Sequence, residues 1–333
     1  MSSQQIHSPF QEAQPLVTFI ITYYNLPIQM LCECINSILA LSLRPEEREI
    51  IVIDDGSEVS PMNSLMQYEE DIIYVRQKNG GVSVARNTAL QMARGQYIQI
   101  VDGDDCLLKT PYEHCLSLIR NAKDLDVLLF DFTKSQADNN TTYHDSPLQT
   151  GAEFMRNHNI QGAVWCTLFR QAVRSQLLFT PHIDYGEDEE FTPQLLLRAE
   201  TVVKTDAQAY FYRPRSTSAI HQQDEKSKAK RLDDTMMVIM HLNQLADRVP
   251  LTDRKAMQRR VAQLTMDYIY NTILLTRSQK ALDLRLEALR QEGLFPLPDK
   301  DYSKKYVWFR RMTNTSMGRT ILLHTLPLLK RER

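Results

Sequence analysis

The sequence predicts an α/β fold, a mostly parallel sheet flanked by helices, with a helical extension at the C-terminal end. Apolar runs such as Leu16–Tyr23, Glu49–Ile53 and Tyr97–Val101 do not alternate with polar residues, which marks strands covered on both faces. They alternate with stretches of helical apolar spacing, Ile28–Leu41 and Val82–Arg94, the order expected of a parallel sheet. Beyond Asp224 strand patterns cease, and Lys228–Asp247, Asp253–Thr276 and Lys280–Glu292 read as helices punctuated by Pro250 and by Pro296 and Pro298.

In chain order, residues 1–15 form a polar tail with neither the basic nor the apolar region of a secretory signal. The first strand ends at Asn25 and Pro27 and feeds a helix; the second ends in Asp54-Asp55-Gly56-Ser57. Strand Ile72–Arg76 precedes the helix Val82–Arg94, and strand Tyr97–Val101 runs into Asp102-Gly103-Asp104-Asp105. Short strands are expected at Val127–Phe132, Val164–Phe169, Thr201–Lys204 and Ala209–Tyr212, with a helix at Thr192–Arg198. The expected division is an α/β domain over 16–222 and a helical region with a basic tail over 223–333. In parallel sheets ligands bind outside the carboxyl ends of the strands, near a reversal of strand order, so Asn25, Asp54 and Asp102 are expected to share one crevice.

Composition narrows the class. The chain has 333 residues, 43% hydrophobic and 24% charged, with a net charge of −2, so it reads as a globular protein for which nucleic acid is not the expected partner. Its five cysteines form no C-x-x-C pair and read as reduced thiols. The apolar stretch Ile321–Leu329 is far short of the about 20 residues that span a bilayer, so a cytoplasmic location is expected.

Val101–Asp105 (V-D-G-D-D) places three carboxylates within four positions after a buried strand. Their repulsion would be relieved by a hard divalent cation, Mg²⁺ or Mn²⁺, shared with a diphosphate; the plain alternative is a surface turn. Val52–Ser57 (V-I-D-D-G-S) is a second acidic strand end, readable also as a turn or a helix cap. In Lys78–Asn87 (K-N-G-G-V-S-V-A-R-N) a glycine pair opens a helix whose N–H groups would attract an anion. It lacks both the G-K-[ST] of a P-loop and the G-x-G-x-x-G of a dinucleotide site, which disfavours a dehydrogenase.

Taken together, Thr22–Asn25, Ile53–Ser57, Asn79–Asn87 and Asp102–Asp105 resemble, in order and spacing, the Y-N, I-D-D-G-S, N-x-G-x-x-x-A-R-N and D-x-D-D signals of the family-2 glycosyltransferases. The resemblance implies a GT-A, Rossmann-like fold, with 16–106 as the nucleotide-sugar-binding half and 107–222 as the acceptor half. It implies that Asp54 contacts the base, usually uracil, with Thr22 and Tyr24 lining its pocket beside Asn25. Asp102 would lie near ribose and metal, Asp104 would ligate the metal with Asp105 in support, and Arg86 would approach the nucleotide, unless it is a helix-surface arginine.

Tyr185–Phe191 (Y-G-E-D-E-E-F) is readable as the acidic first turn of a helix. The resemblance instead makes Asp188 the general base that takes the acceptor's proton, with Glu187 and Glu189 as the alternatives, Glu187 also being placed against the acceptor. Tyr212–His221 resembles the family's basic segment over the donor diphosphate, which implies that Arg213 or Arg215 faces the phosphates and that His221 is a late metal ligand. Trp165 reads either as core or as a stacking platform for the acceptor sugar. The resemblance implies inverting transfer from a nucleoside-diphosphate sugar, a UDP-sugar first, to a glycan or lipid-linked acceptor. A sugar-nucleotide nucleotidyltransferase and an inactive nucleotide-sugar-binding protein are the alternatives. Residues 300–333 carry nine Lys or Arg against two acidic residues, interleaved with aromatics, a composition suited to an anionic membrane surface and also to a solvated tail.

Overall fold

The computed structural model of this protein describes residues 14–122, 124–135, 142–215 and 224–329. Eight strands form one sheet in the order β3-β2-β1-β4-β7-β6-β8-β5. They are β1 Val17–Tyr23, β2 Arg48–Asp54, β3 Ile73–Arg76, β4 Tyr97–Asp102, β5 Cys106–Leu107, β6 Val127–Thr133, β7 Thr167–Arg170 and β8 Val202–Phe211. The helices between the early strands are α1 Ile28–Leu39, α2 Met62–Leu65, α3 Val82–Met92 and α4 Lys109–Asn121. Later come α5 Gly151–Asn157, α6 Gln171–Arg174 and α7 Glu187–Leu196, and then α8 Glu225–Ala246, α9 Leu251–Thr276, α10 Gln279–Gln291, α11 Lys304–Thr313 and α12 Ser316–Leu329.

Only β3, β2, β1 and β4 run parallel; β4 with β7, β7 with β6 and β5 with β8 are antiparallel, so the sheet is mixed. The parallel part is the one whose strands are apolar throughout. Ile20, Ile21, Ile51, Val52, Ile98 and Ile100 are fully buried, with Leu31, Ile35 and Ile38 of α1 and Ala85, Ala89 and Leu90 of α3 also in the core. Such strands need cover on both faces, and the connecting helices supply it. Beyond β4 the strands are shorter or more polar. β8 is one strand of ten residues where the sequence suggested two, because Lys204, Asp206 and Gln208 alternate outward while their neighbours are buried. The expected strand at Val164–Phe169 opens instead with a 3-10 turn, Val164–Cys166, and pairing starts at Thr167.

Two compact units result. The first takes the chain up to Asp145 together with Trp165–Gln176 and Lys204–Arg213, and it holds the parallel strands. The second takes Ser146–Val164, Leu177–Val203 and the chain from Pro214 onward. Its core is helical, with Val238, Ile239 and Leu242 of α8, Met257, Tyr268 and Ile269 of α9, Leu282 and Leu286 of α10 and Phe309 of α11 in one buried cluster. α9 is its centre: buried residues recur around most of its circumference, as expected of a helix with neighbours on several sides.

Candidate active site

Strand order within the first unit fixes where a site can form. β2 and β3 are added on one side of β1 and β4 on the other, so the direction of winding reverses between β1 and β4. A crevice opens at such a reversal, outside the carboxyl ends of the strands. The register brings three of the expected residues to that edge: Thr22 lies opposite Asp102, and Tyr23 opposite Asp54. Tyr24 and Asn25 follow at once and are exposed.

Asp54 is fully buried, and its own surroundings occupy it. Its Oδ1 accepts from the Ser57 N–H at 2.8 Å, its Oδ2 from the Tyr74 hydroxyl at 2.9 Å, and Arg76 approaches at 3.4 Å. Asn25, at a positive φ of 48°, is tied to the same loop: its N–H donates to Ser57 Oγ at 3.0 Å and its Oδ1 accepts from the Glu58 N–H at 2.9 Å. Asp54 and Asn25 thus shape one edge of the crevice, with the Asp54 carboxylate turned to its own loop.

Asp55 answers the question posed by the glycine pair. Its Oδ1 accepts from the Gly80 N–H at 2.9 Å and from Gln77 Nε2 at 2.8 Å, and its Oδ2 from the Gly81 N–H at 2.8 Å. The N–H groups expected to face a ligand's anion are therefore taken by a carboxylate of the chain itself. Helix α3 begins on that internal anion, which lies where the helix dipole favours negative charge.

Arg86, one turn into α3, is buried and donates to Asp102 Oδ1 at 3.0 Å, which sets aside a helix-surface role. Asp102 and Asp104 are half-buried and Asp105 is buried. Gly103 between them is a steric necessity: its N–H donates to the Thr22 carbonyl at 3.1 Å, and a Cβ there would come within 2.7 Å of the same oxygen. Asp105 accepts from the Tyr210 hydroxyl at 2.9 Å and from the Arg213 N–H at 2.8 Å. The Tyr210 hydroxyl also accepts from the Asp102 N–H at 3.1 Å, and Arg213 Nε donates to the Asp104 carbonyl at 2.8 Å. Burial, reinforced by Asp102 and Asp104, pushes the Asp105 carboxyl up to about 8. The cluster is thus one buried, protein-bound carboxyl and two carboxylates partly open to solvent.

Trp165 belongs to the 3-10 turn rather than to a strand, and its carbonyl accepts from Gln99 Nε2 at 2.9 Å. Its ring lies 4.6 Å from Tyr210 and stacks on Tyr212 at 5.7 Å, with Phe132 edge-on at 5.2 Å. All but Tyr210 are half-buried, so the group is an aromatic shelf with an accessible side rather than closed core.

Glu187 and Asp188 belong to the second unit. They lie within α7, not before it: Gly186, left-handed at φ 91°, starts the helix, and all four acidic residues occupy its first turn. The expected helix start at Thr192 is therefore five residues late. Asp188 is buried and its Oδ2 accepts from the Val164 N–H at 3.3 Å. Glu190 pairs with His241 of α8 at 2.7 Å, and Glu189 pairs with Arg260 of α9. Arg215 is half-buried in the second unit, and His221 lies outside the described residues.

Residues 18–178 match Glycosyl transferase family 2. That segment, just under half of the chain, is similar to the family-2 glycosyltransferases. It is 31% identical over 220 residues to the uncharacterized glycosyltransferase EpsJ of Bacillus subtilis, a match covering 61% of this chain and 62% of that one. The chain thus spans under two thirds of that relative's length. Among solved structures, S. aureus TarS 1-349 in complex with UDP-GlcNAc superposes with a TM-score of 0.62 at 17% identity, covering 95% of this chain and 91% of that one. The mannosyltransferase PcManGT from Pyrobaculum calidifontis, in complex with GDP-Man and Mn2+, gives a TM-score of 0.53 at 15% identity, covering 96% and 88%. At these identities the likeness is one of fold, and the fold is that of GT-A transferases.

Sequence reasoning missed the structural roles of Asp55 and Tyr210 at this edge of the sheet. A signal for Asp55 was present, since a second buried carboxylate at a strand end needs N–H donors and a glycine pair opening a helix offers them. Tyr210 carried none, because its partners are over 100 residues away. Asp55→Ala is expected to lower unfolding stability by about 2–4 kcal/mol, since two backbone N–H groups lose a charged acceptor. Urea denaturation measures the loss, and hydrogen exchange should show it accompanied by faster exchange at Gly80 and Gly81.

Proposed function

We propose that this chain is an inverting, metal-dependent glycosyltransferase that moves a sugar from a nucleoside-diphosphate sugar, a UDP-sugar by preference, to a hydroxyl of a glycan or lipid-linked acceptor. The observation that carries the reading is the pair of half-buried carboxylates, Asp102 and Asp104, set at the strand-order reversal with Arg86 beside them. TarS in complex with UDP-GlcNAc and PcManGT in complex with GDP-Man and Mn2+ support a nucleotide-sugar donor.

The donor set suits Mg²⁺ or Mn²⁺. Among the described residues no three His, Cys, Asp or Glu side chains gather into a self-sufficient metal site. Hard cations of this kind, however, are commonly held by one or two carboxylates together with substrate phosphates. Asp104 and Asp102 would supply those carboxylates, with His221 as a further ligand from outside the described residues. When bound, the ion offsets charge on the departing nucleoside diphosphate.

The chain's own residues take the remaining roles. Thr22, Tyr24 and Asn25 border the nucleotide, Asp54 acts on the base through the loop it holds, and Arg86 keeps Asp102 oriented. Arg215 faces the diphosphate. Trp165, stacked with Tyr212, offers its ring to the acceptor sugar, whose C–H faces suit an aromatic surface. Glu187 contacts the acceptor and Asp188 removes its proton as the hydroxyl attacks the anomeric carbon. Nucleoside diphosphate release, screened across UDP-, GDP- and dTDP-sugars with Mn²⁺ present, identifies the donor. No release with any of them would remove the reading.

With that donor in hand, Asp104→Ala is expected to abolish turnover without unfolding the protein, as circular dichroism would verify. Full activity of the variant in EDTA would remove the metal. Asp188→Asn should bind UDP normally while transfer falls about 10²–10⁴-fold, the usual contribution of a general base. Near-normal transfer would shift the role to Glu187 or Glu189.

The basic region is the remaining part of the reading. No helix among the described residues is long and apolar enough to cross a membrane. On α11, Lys304, Trp308 and Arg311 recur at helical spacing and are exposed, and on α12 Met317, Ile321 and Leu328 are exposed along one stripe. Lys330, Arg331 and Arg333 lie outside the described residues. Cationic side chains near an anionic leaflet contribute about 1 kcal/mol each, and interfacial aromatics add to them. Full-length protein is therefore expected to sediment with anionic liposomes at low salt, and a truncation after Asp299 to stay in the supernatant. Equal recovery of both in the supernatant would refute surface binding.

A further inference from the structure

Arg260 is buried in α9 of the second unit, where a guanidinium is expensive to desolvate. Burial pulls its pKa down to about 10, which leaves it charged at neutral pH. An apolar side chain of similar volume commonly serves stability as well at such a place, so what this charge holds is informative. Its Nη1 donates to the Ile160 carbonyl at 3.0 Å, and its guanidinium pairs with Glu189 in the first turn of α7. The Glu189 carboxylate passes over Gly162, where a Cβ would collide with it. Two residues further on, the Val164 N–H donates to Asp188 Oδ2.

One guanidinium therefore grips both partners of a single hydrogen bond. It holds the helix turn that carries Asp188, through Glu189, and it holds the segment that donates to Asp188, through Ile160. From this geometry we infer that Arg260 is a positioning residue for Asp188, acting through Glu189. The inference rests on the assignment of Asp188 as the base. Glu190 anchors the same turn to His241 of α8 and so steadies the helix, whereas Arg260 reaches both the turn and the Ile160 carbonyl. A displacement of about 1 Å at a reacting group is enough to cost about 10²-fold in rate, which is why an arginine outside the first turn of α7 matters to the chemistry.

The test compares Glu189→Gln, Arg260→Met, Arg260→Lys and the double variant Glu189→Gln/Arg260→Met in the full chain. Three quantities are read: amide exchange at Val164, affinity for UDP with Mn²⁺, and kcat with the UDP-sugar that the wild type turns over. Glu189→Gln and Arg260→Met are each expected to speed Val164 exchange about tenfold or more. Each should lower kcat about 10–100-fold and leave UDP affinity within about twofold. Because the two side chains act as one unit, the double variant should lose no more than the worse single variant, and Arg260→Lys should recover part of the loss. Unchanged Val164 exchange, additive losses in the double variant, or a fall in kcat matched by a fall in UDP affinity would each overturn the inference. If Arg260→Met does not fold, Glu189→Gln decides alone, since its side chain is partly exposed and its loss leaves the core intact. Asp188→Asn, measured alongside, separates the two levels. Near-normal transfer there removes the base assignment and this inference with it, whereas lost transfer there with no response at Glu189 or Arg260 overturns the inference alone.

Discussion

A carboxylate at the end of a strand covered on both faces has little water to solvate it, so the chain must bring it donors. Three of the first unit's acidic strand-end residues, Asp54, Asp55 and Asp105, are buried, and each has been given partners by a different element. Ser57 and Tyr74 serve Asp54, the opening of α3 serves Asp55, and Tyr210 with the Arg213 N–H serves Asp105. These obligations hold loops from distant parts of the sequence against one edge of the sheet. Asp102 and Asp104 are the members left partly open, and Asp102 is steadied by a buried arginine. Most of the acidic groups are thus satisfied within the chain, and the two left partly open are the ones proposed to face the metal and the donor diphosphate.

The second unit applies the same rule to a helix. Four acidic residues in the first turn of α7 suit the dipole there. Three of them, Asp188, Glu189 and Glu190, are bound to Val164, Arg260 and His241. The C-terminal helices are thus part of how the acidic turn is built, since α8 supplies His241 and α9 supplies Arg260. This accounts for a helical region that shares a compact unit with residues 177–203 rather than standing apart as an appendage.

What made the site legible in the sequence was its local part. Non-alternating strands, the acidic residues that end them, and the glycine pair before α3 are short-range patterns, and each follows from burial, turn sterics or helix-end electrostatics acting within a few residues. The match over residues 18–178 covers this part of the chain. Readings failed where a pattern had two local solutions. The acidic run before Thr192 serves equally as a loop and as a first turn, and Gly186 in its left-handed conformation decided for the turn. The N–H groups of Gly80 and Gly81 suit any anion, and only a contact across 25 residues shows that Asp55 is the one bound.

By itself, then, the sequence determined the alternation of buried strands and helices, the parallel half of the sheet and the carboxylates at its edge, because periodicity and strand-end chemistry are properties of neighbouring residues. The antiparallel half was decided by tertiary structure, since a strand's direction depends on where its connections return. So were the partners of the acidic groups. Arg86 could not be told from a surface arginine until Asp102 was found beside it, and Arg260 was one basic residue among many on a long helix. Its role depends on Ile160 and Glu189, which lie 100 and 71 positions earlier in the chain. Pairing a buried charge is a long-range requirement, and no local pattern in the sequence records which partner meets it.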